Sequence, residues 1–367
     1  MAHSHKVLGL ALGGVAALAL GGCASTSPGL AQWGRAPMGQ PGVPFSGVKP
    51  APENQAVLDS IQVLGYRPIE TLDPVAARQQ PTAADGVKDV LRRQGRPITP
   101  PAGVTTRDLT YPAGVGSQPV RVYMPAEAAT GPRPVIVYYH GGGFVIADID
   151  TYDASPRALV RETGAIVVSV EYRHAPEAKF PAQHDDAFAA YQWALANAAS
   201  WGGDPTKVAV AGESAGGNLA AAVSMMARDR GVQAPVHQLI VYPIAGIDMN
   251  TESYRENANA KPLNRAAMMW FAHHLVANPA DLADPRINLV GANLRDLPPA
   301  TIVMAQIDPL RSDGEMLATK LREAGVPVDS RMFPGTTHEF FGMDAVLPQA
   351  VSAQRYAGER LRDAFKR

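Results

Sequence analysis

The sequence has very little cysteine and almost no net charge. Cys23 is the single cysteine among 367 residues, which excludes an internal disulfide and the usual zinc-binding motifs. The 33 Lys and Arg residues nearly balance the 34 Asp and Glu residues, so the composition does not indicate a nucleic-acid partner. Internal repeats are also missing, which excludes repeat architectures.

Long apolar runs are missing as well. The longest covers residues 7–20, whereas a membrane-spanning helix needs about 20 apolar residues. The run has the length of a signal-peptide core, and Leu20-Gly21-Gly22-Cys23 resembles a bacterial lipobox. The sequence therefore predicts a lipoprotein signal peptide over residues 1–22 and a lipid anchor at Cys23, with the exported protein in the periplasm or at the outer membrane. The alternative is an ordinary secretory signal with an incidental cysteine.

Three regions follow the predicted signal peptide. Residues 23–50 are rich in Ser, Pro and Gly, which is typical of a flexible tether. Residues 51–104 place apolar side chains at helical spacing between prolines, which predicts a small helical cap. From 105 to 367, short β-branched runs alternate with helical patterns, which favours an α/β fold with a mostly parallel sheet and helices on both faces. A helical stretch within about 250–290 interrupts this alternation and is predicted to be an insertion into the cap.

A candidate nucleophile lies in the segment Gly212-Glu-Ser-Ala-Gly216. The segment follows a strand-like run and precedes an Ala-rich helical stretch, which is the context of a nucleophile elbow. Glycines permit the tight turn, and the N-terminus of the following helix favours developing negative charge. Ser214 is therefore the predicted nucleophile. The alternative is a Gly-rich turn whose serine has no catalytic role.

A glycine run, His140-Gly-Gly-Gly-Phe144, ends an earlier strand-like run. Backbone N–H groups in such a loop can point at an ester oxyanion, together with the N–H of Ala215. The alternatives are a flexible loop or a phosphate cradle, but the sequence contains no P-loop motif. We expect His140 to shape the loop rather than to act as a base.

A serine nucleophile of this fold needs a later acid and a still later histidine. His338 lies in a loop beyond a strand-like run, where catalytic groups gather, whereas His237 precedes a strand. Asp308 also follows a strand, one unit before His338, and the nearby Asp313 is expected on the next helix. The order and placement predict a triad of Ser214, Asp308 and His338.

Several motifs together resemble the bacterial hormone-sensitive-lipase-like esterases, an α/β-hydrolase family. They are His140-Gly-Gly-Gly-Phe144, Glu171-Tyr-Arg-His-Ala-Pro-Glu177, Gly212-Glu-Ser-Ala-Gly-Gly-Asn218, Asp308-Pro-Leu310 and His338-Glu-Phe340. The resemblance covers roughly residues 105–365 and implies the α/β-hydrolase fold with a cap. It implies the same triad and an oxyanion hole formed by the amides of Gly141, Gly142 and Ala215.

The sequence departs from this family at three motif positions. Position 213 is Glu where many members have Asp, and position 174 is His where Leu is common. Position 339 is Glu where Gly is frequent. None of these departures removes a predicted catalytic group, so they affect the subfamily and the substrate fit rather than the reaction.

The expected activity is hydrolysis of small-molecule carboxylic esters through an acyl-enzyme, without a metal or a cofactor. The resemblance and an expected small capped pocket favour short acyl chains, with Phe144, Phe340 and Trp270 predicted to line the pocket. A lactonase, an amidase or a carbohydrate deacetylase on the same fold is one alternative, and a non-catalytic binding lipoprotein is another. The oligomeric state is left open, with a homodimer as one alternative.

Overall fold

The computed structural model describes residues 47–114 and 116–366. The predicted signal peptide, Cys23 and the predicted tether up to residue 46 lie outside these ranges. Within them, no helix combines the length and the apolar composition needed to cross a bilayer.

Short helices form the N-terminal part of the described chain. They are α1 (Pro52–Val63), α2 (Pro74–Arg78) and α3 (Ala83–Arg93), with a 3-10 turn at Ile69–Thr71. Proline at the first position starts α1 and α2, where its fixed φ angle suits a helix and no N–H is needed. A capping box between Thr82 and Asp85 starts α3, because each residue satisfies a free N–H of the other.

One eight-stranded sheet forms the centre of the molecule. Its strands are β1 (Val104–Ala113), β2 (Gly116–Pro125), β3 (Arg133–Tyr139), β4 (Ile166–Val170), β5 (Gly203–Glu213), β6 (Gln238–Val241), β7 (Ala300–Ile307) and β8 (Val328–Thr337). The spatial order is β1-β2-β4-β3-β5-β6-β7-β8. Strand β2 is antiparallel to both β1 and β4, and the pairs from β4 to β8 are parallel.

Helices cover both faces of this sheet. They are α4 (Ala154–Thr163), α5 (Ala182–Asn197), α6 (Ala215–Asp229), α9 (Arg311–Glu323) and α10 (Pro348–Phe365). Alternate residues of β3 enter different cores: Val135 and Val137 pack in the cluster that holds α5 and α6, whereas Ile136 packs in the cluster that holds α4 and α10. This two-sided burial explains why the central strands are apolar throughout. It confirms the predicted α/β fold, a mostly parallel sheet with helices on both faces.

The segment between β6 and β7 contains two α-helices, α7 (Glu252–Glu256) and α8 (Arg265–Leu275), and two 3-10 helices, Pro279–Ala283 and Leu289–Gly291. Helix α8 contacts the N-terminal helical part. The indole N–H of Trp270 donates to the carbonyl of Leu72 at 3.0 Å, and the side-chain amide of Asn264 donates to Glu70 at 3.1 Å. Two segments far apart in the chain are therefore joined over the same edge of the sheet.

Candidate active site

Ser214 occupies a strained turn between β5 and α6. Its φ angle is +58° and its ψ angle is −117°, a conformation that a residue with a Cβ adopts at a cost of about 1–3 kcal/mol. Gly216 makes the turn possible, because a Cβ at this position would overlap the carbonyl of Tyr139 on β3. The strand, the turn and the helix thus hold the Ser214 hydroxyl at the carboxyl edge of the sheet.

His338 joins Ser214 to Asp308. Its Nε2 lies 2.9 Å from Oγ of Ser214, and its Nδ1 lies 2.7 Å from Oδ2 of Asp308. The other oxygen of Asp308 accepts a hydrogen bond from the N–H of Leu310 at 2.8 Å, and the carboxylate is fully buried. The structure therefore brings the three predicted triad residues into one hydrogen-bonded chain.

The charges around His338 favour its protonated form. Burial alone lowers the pKa of His338, because it disfavours the imidazolium. The charge and hydrogen bond of Asp308, followed by the charges of Glu339 and Glu213, outweigh burial and raise the pKa of His338 above its usual value. The site is thus built to accept a proton at the imidazole.

A buried carboxyl lies directly before the nucleophile in the chain. Burial raises the pKa of Glu213 to about 7, even though hydrogen bonds stabilise its ionised form. Two of the donors are the hydroxyls of Tyr138, at 2.5 Å, and Tyr242. The ring of Tyr242 also packs against the ring of His338, with centroids 4.6 Å apart. Glu213 therefore helps to hold Tyr242 in place, and the ring of Tyr242 packs against His338.

The glycine run forms a fixed loop beside Ser214. Gly142 has a φ angle of +95°, and a Cβ there would overlap the carbonyl of Ile146. Its own carbonyl accepts from the N–H groups of Val145 and Ile146 at 3.0 Å each, while the hydroxyl of Tyr172 donates to the carbonyl of Gly141 at 3.1 Å. These hydrogen bonds to the carbonyls of Gly141 and Gly142 hold the loop in one conformation.

Behind the loop lies a group of potential metal ligands, His140, Glu171 and His174, whose ligand atoms lie within 4.8 Å of one another. One carboxylate oxygen of Glu171 lies 3.3 Å from Nε2 of His140 and 3.1 Å from Nε2 of His174. The carboxylate raises the pKa of buried His140 despite its burial, and the two imidazoles hold the pKa of Glu171 well below its usual range. We interpret the group as an ion pair that supports the loop, as expected for His140.

A cavity of about 1240 Å³ opens above Ser214. Its lining includes Met268 and Phe271 from α8, and Val87 and Leu91 from α3. The volume exceeds the ~300–1,000 Å³ typical of small-molecule sites, so the expected small pocket is not what the structure contains. Both the N-terminal helices and the segment between β6 and β7 form its walls.

A family described as having the α/β-hydrolase fold matches residues 136–342, more than half of the chain. The chain belongs to the α/β-hydrolase family. Carboxylesterase NlhH of Mycobacterium tuberculosis is 41% identical to this hydrolase over 281 residues, which cover 74% of this chain and 88% of the relative. Ethyl acetate hydrolase of Pseudomonas putida is 34% identical over 237 residues, which cover 63% and 74%.

Solved structures of esterases share the architecture. A thermostable esterase from Pseudomonas putida ECU1011 superposes with a TM-score of 0.79 at 31% identity, covering 88% of this hydrolase and 99% of that chain. The esterase of Pyrobaculum calidifontis gives a TM-score of 0.76 at 34% identity, covering 86% and 99%. These likenesses confirm the resemblance found in the sequence motifs.

The aromatic residues predicted to line the pocket of the hydrolase are not among those that line the cavity. Phe144 and Phe340 are buried in the two cores beside the sheet. Trp270 turns its indole N–H to the carbonyl of Leu72, so it joins α8 to the N-terminal part. Phe271, the next residue on α8, lines the cavity instead. Its ring lies so close to the glycine loop that a Cβ on Gly143 would overlap it.

Two polar residues beside the triad were not predicted. Oε1 of Glu339 lies 3.8 Å from Nε2 of His338 and accepts a hydrogen bond from the hydroxyl of Tyr152 at 2.6 Å. The sequence showed Glu339 only as a departure from a family motif. Nothing in the sequence marks Tyr152, because it is 187 positions from its partner and no short motif contains both.

Proposed function

We propose that this hydrolase cleaves carboxylic esters of small molecules through attack of Ser214 on the ester carbonyl. The observation that carries the proposal is the unbroken chain from Oγ of Ser214 to Nε2 of His338, at 2.9 Å, and from Nδ1 to Asp308, at 2.7 Å. The names of the relatives, a carboxylesterase and an ethyl acetate hydrolase, support esters as the substrate class.

In the first step, Nε2 of His338 takes the proton of Ser214 as Oγ bonds to the carbonyl carbon. Asp308 holds the ring with Nδ1–H directed at its carboxylate and stabilises the imidazolium. The N–H groups of Gly141, Gly142 and Ala215 receive the oxyanion, and each such donor contributes about 3 kcal/mol in comparable sites. The imidazolium then protonates the leaving alcohol, and the acyl group stays on Ser214.

In the second step, water takes the place of the alcohol. His338 accepts a proton from the water molecule while the oxygen of that water attacks the acyl carbon, and the same backbone amides bind the second oxyanion. The proton returns to Oγ of Ser214 when the carbon–oxygen bond breaks, so the carboxylic acid is released and the enzyme is restored. These steps use side chains and backbone amides of this chain.

We propose a preference for short acyl chains. The close contact of Phe271 with the glycine loop at Gly143 narrows the cavity beside the oxyanion donors, and one relative is named for the hydrolysis of an acetate. The cavity as a whole is large, so a bulky alcohol group is compatible with a short acyl group. We expect kcat/KM to fall as the acyl chain lengthens, and to change little when the alcohol group becomes larger.

The proposal is tested with p-nitrophenyl esters of increasing acyl length, together with a lactone, an anilide and an acetylated sugar. We expect hydrolysis of the short esters and covalent labelling by a fluorophosphonate probe, with both lost in Ser214→Ala. Ser224→Ala is a matched control, because Ser224 is a buried serine further along α6. Faster turnover of the lactone, anilide or sugar would assign a different substrate class, and an unlabelled wild type would contradict the mechanism.

We also propose that the hydrolase is exported and lipid-anchored at Cys23. The support is the apolar run at residues 7–20 followed by Leu20-Gly-Gly-Cys23. Cell fractionation should find the protein with the membranes, and Cys23→Ser should release it or block its processing. A wild-type protein that stays in the cytosolic fraction would contradict this proposal without affecting the proposed reaction.

A further inference from the structure

Glu339 places a second carboxylate at the catalytic imidazole. Its Oε1 lies 3.8 Å from Nε2 of His338, the nitrogen that also faces Ser214. Asp308 meets the opposite nitrogen of the ring. The side chain of Glu339 also lines the substrate cavity, so its carboxylate borders the space where the reaction takes place.

The position of this carboxylate is set by Tyr152 and by the backbone conformation of Glu339. The hydroxyl of Tyr152 donates to Oε1 of Glu339 at 2.6 Å. Tyr152 is itself held against the glycine loop, since a Cβ on Gly141 would overlap its hydroxyl. The backbone of Glu339 is left-handed, with a φ angle of +71°, which is costly for a residue with a Cβ. The chain therefore bears strain at a residue whose carboxylate reaches the imidazole.

We propose that Glu339 is a positioning residue that stabilises the imidazolium of His338 from the Nε2 side, complementing Asp308 on the Nδ1 side. This inference rests on the proposed function, because it requires His338 to accept the proton of Ser214. It adds to that function a second negative charge whose effect is greatest when the imidazole is protonated.

The distance decides how Glu339 acts. A separation of 3.8 Å is too long for a hydrogen bond, so Nε2 stays directed at Ser214, at 2.9 Å. An opposite charge within about 4–6 Å still favours the charged form of a titrating group. The side chain of Glu339 is 24% exposed, so solvent screens part of this charge, and a moderate effect is expected.

Negative groups and tyrosines surround His338. Asp308 follows β7, Glu213 ends β5, and Glu339 follows His338 in the chain; these are the charged groups that raise the pKa of His338. Tyr242 packs on the ring, and burial raises the pKa values of Tyr242 and Tyr152, which keeps both hydroxyls neutral. Substituting Glu339 alone leaves the side chains of Asp308 and Glu213 in place. Loss of its charge also lowers the pKa of Glu213, which offsets part of the effect, so the remaining fall in the pKa of His338 reports the charge of Glu339.

Two substitutions separate charge from structure. Glu339→Gln keeps the size of the side chain and an oxygen that can accept from Tyr152, but removes the charge. Glu339→Gly removes the whole side chain and suits the left-handed backbone, so it is expected to fold. A role through charge predicts the same shift in both variants, whereas a role in packing predicts a defect only in the glycine variant.

The experiment measures kcat/KM for p-nitrophenyl acetate against pH in the wild type, Glu339→Gln and Glu339→Gly. Removing the negative charge lowers the pKa of His338. The rise of kcat/KM on the acid side of the pH profile should therefore move to lower pH by about one unit in both variants. The pH-independent value of kcat/KM should fall by up to about tenfold, because the imidazolium in the transition state loses stabilisation. Thermal unfolding of each variant checks that the fold is retained.

A second readout does not depend on turnover. The imidazole of His338 is titrated by NMR with 13C-labelled histidine in the wild type and in Glu339→Gln, and its signal is assigned by its loss in His338→Gln. An unshifted titration and an unshifted acid side of the pH profile in an active enzyme would overturn the role of Glu339. A wild type without esterase activity would instead contradict the proposed function, and the NMR titration would still decide whether Glu339 acts on His338.

Discussion

Ile307 at the end of β7 pairs with Thr337 at the end of β8, and this pairing sets Asp308 beside His338. Each catalytic residue directly follows its member of the pair, and Oδ2 of Asp308 lies 2.7 Å from Nδ1 of His338. Since the two strands are parallel, both residues leave the sheet at the same edge. The acid–base pair is thus fixed by strand register as well as by its own hydrogen bond.

Asp308→Asn should therefore leave the fold intact and impair the reaction. The amide can still accept from Leu310, but it no longer supplies the charge that holds Nδ1–H in place and stabilises the imidazolium. We expect kcat to fall on the order of 10⁴-fold, measured with p-nitrophenyl acetate. A decrease in kcat of less than tenfold in a folded variant would show that Asp308 does not orient His338.

The glycine loop predicts a second outcome. Gly142→Ala should reduce kcat by about 100-fold or more, because the φ angle of +95° and the carbonyl of Ile146 leave no room for a Cβ. Gly231→Ala is the control: its φ angle is +64°, with nothing within 4 Å of an added Cβ, so it should cost roughly 1 kcal/mol of stability and leave kcat unchanged. Equal activity in both variants would remove the loop from the mechanism.

Met268 on α8 lines the cavity and should influence chain-length preference. Met268→Ala enlarges the cavity, so kcat/KM for an octanoate ester relative to the acetate should rise roughly tenfold. Met225→Ala removes an equally buried methionine of α6 that packs in a separate core. Both changes should cost about 2–5 kcal/mol of stability, but only the first should alter the ratio. The same ratio in both would place Met268 away from the acyl group.

Glu213 gives a prediction for stability against pH. Its pKa is raised to about 7 in the folded protein, so the folded state binds this proton more tightly than the unfolded state. The resulting stabilisation is complete below the usual pKa of a glutamate and is lost as the pH rises through about 7. Between about pH 5 and pH 8, the free energy of unfolding of the wild type should fall by roughly 1–3 kcal/mol relative to Glu213→Gln.

Urea unfolding at the two pH values measures this difference. Exposed Glu359 supplies the control, since Glu359→Gln should follow the pH dependence of the wild type. Parallel curves for the wild type and Glu213→Gln would show that the buried carboxyl is charged in the folded protein at both pH values.

Sequence patterns predicted the central sheet and the triad because each depends on local signals and chain order. Apolar runs such as Val135–Tyr139 are buried on both faces, and Ser214, Asp308 and His338 each follow a strand in the order that the fold requires. Strand β1 was not singled out, because most of its side chains are exposed or half-buried and it lacks an apolar pattern.

The lining of the cavity could not be read from the sequence. Phe144 is predicted to line the pocket, but its backbone is left-handed, with a φ angle of +66°, and its ring is buried in the core. On α8, a shift of one position decides that Phe271 rather than Trp270 lines the cavity. Such choices depend on contacts between distant segments, which local spacing does not encode.

The hydrogen bonds from Trp270 to Leu72 and from Asn264 to Glu70 have a consequence for how this enzyme could be re-engineered. They join two separate segments of the chain above Ser214, one that precedes the sheet and one that lies between β6 and β7. A chimera that receives only one of these segments keeps the bond to the Leu72 carbonyl only if position 270 carries a donor, and keeps the second bond only if positions 264 and 70 still match. An exchange of substrate range between relatives is therefore best designed with both segments transplanted together.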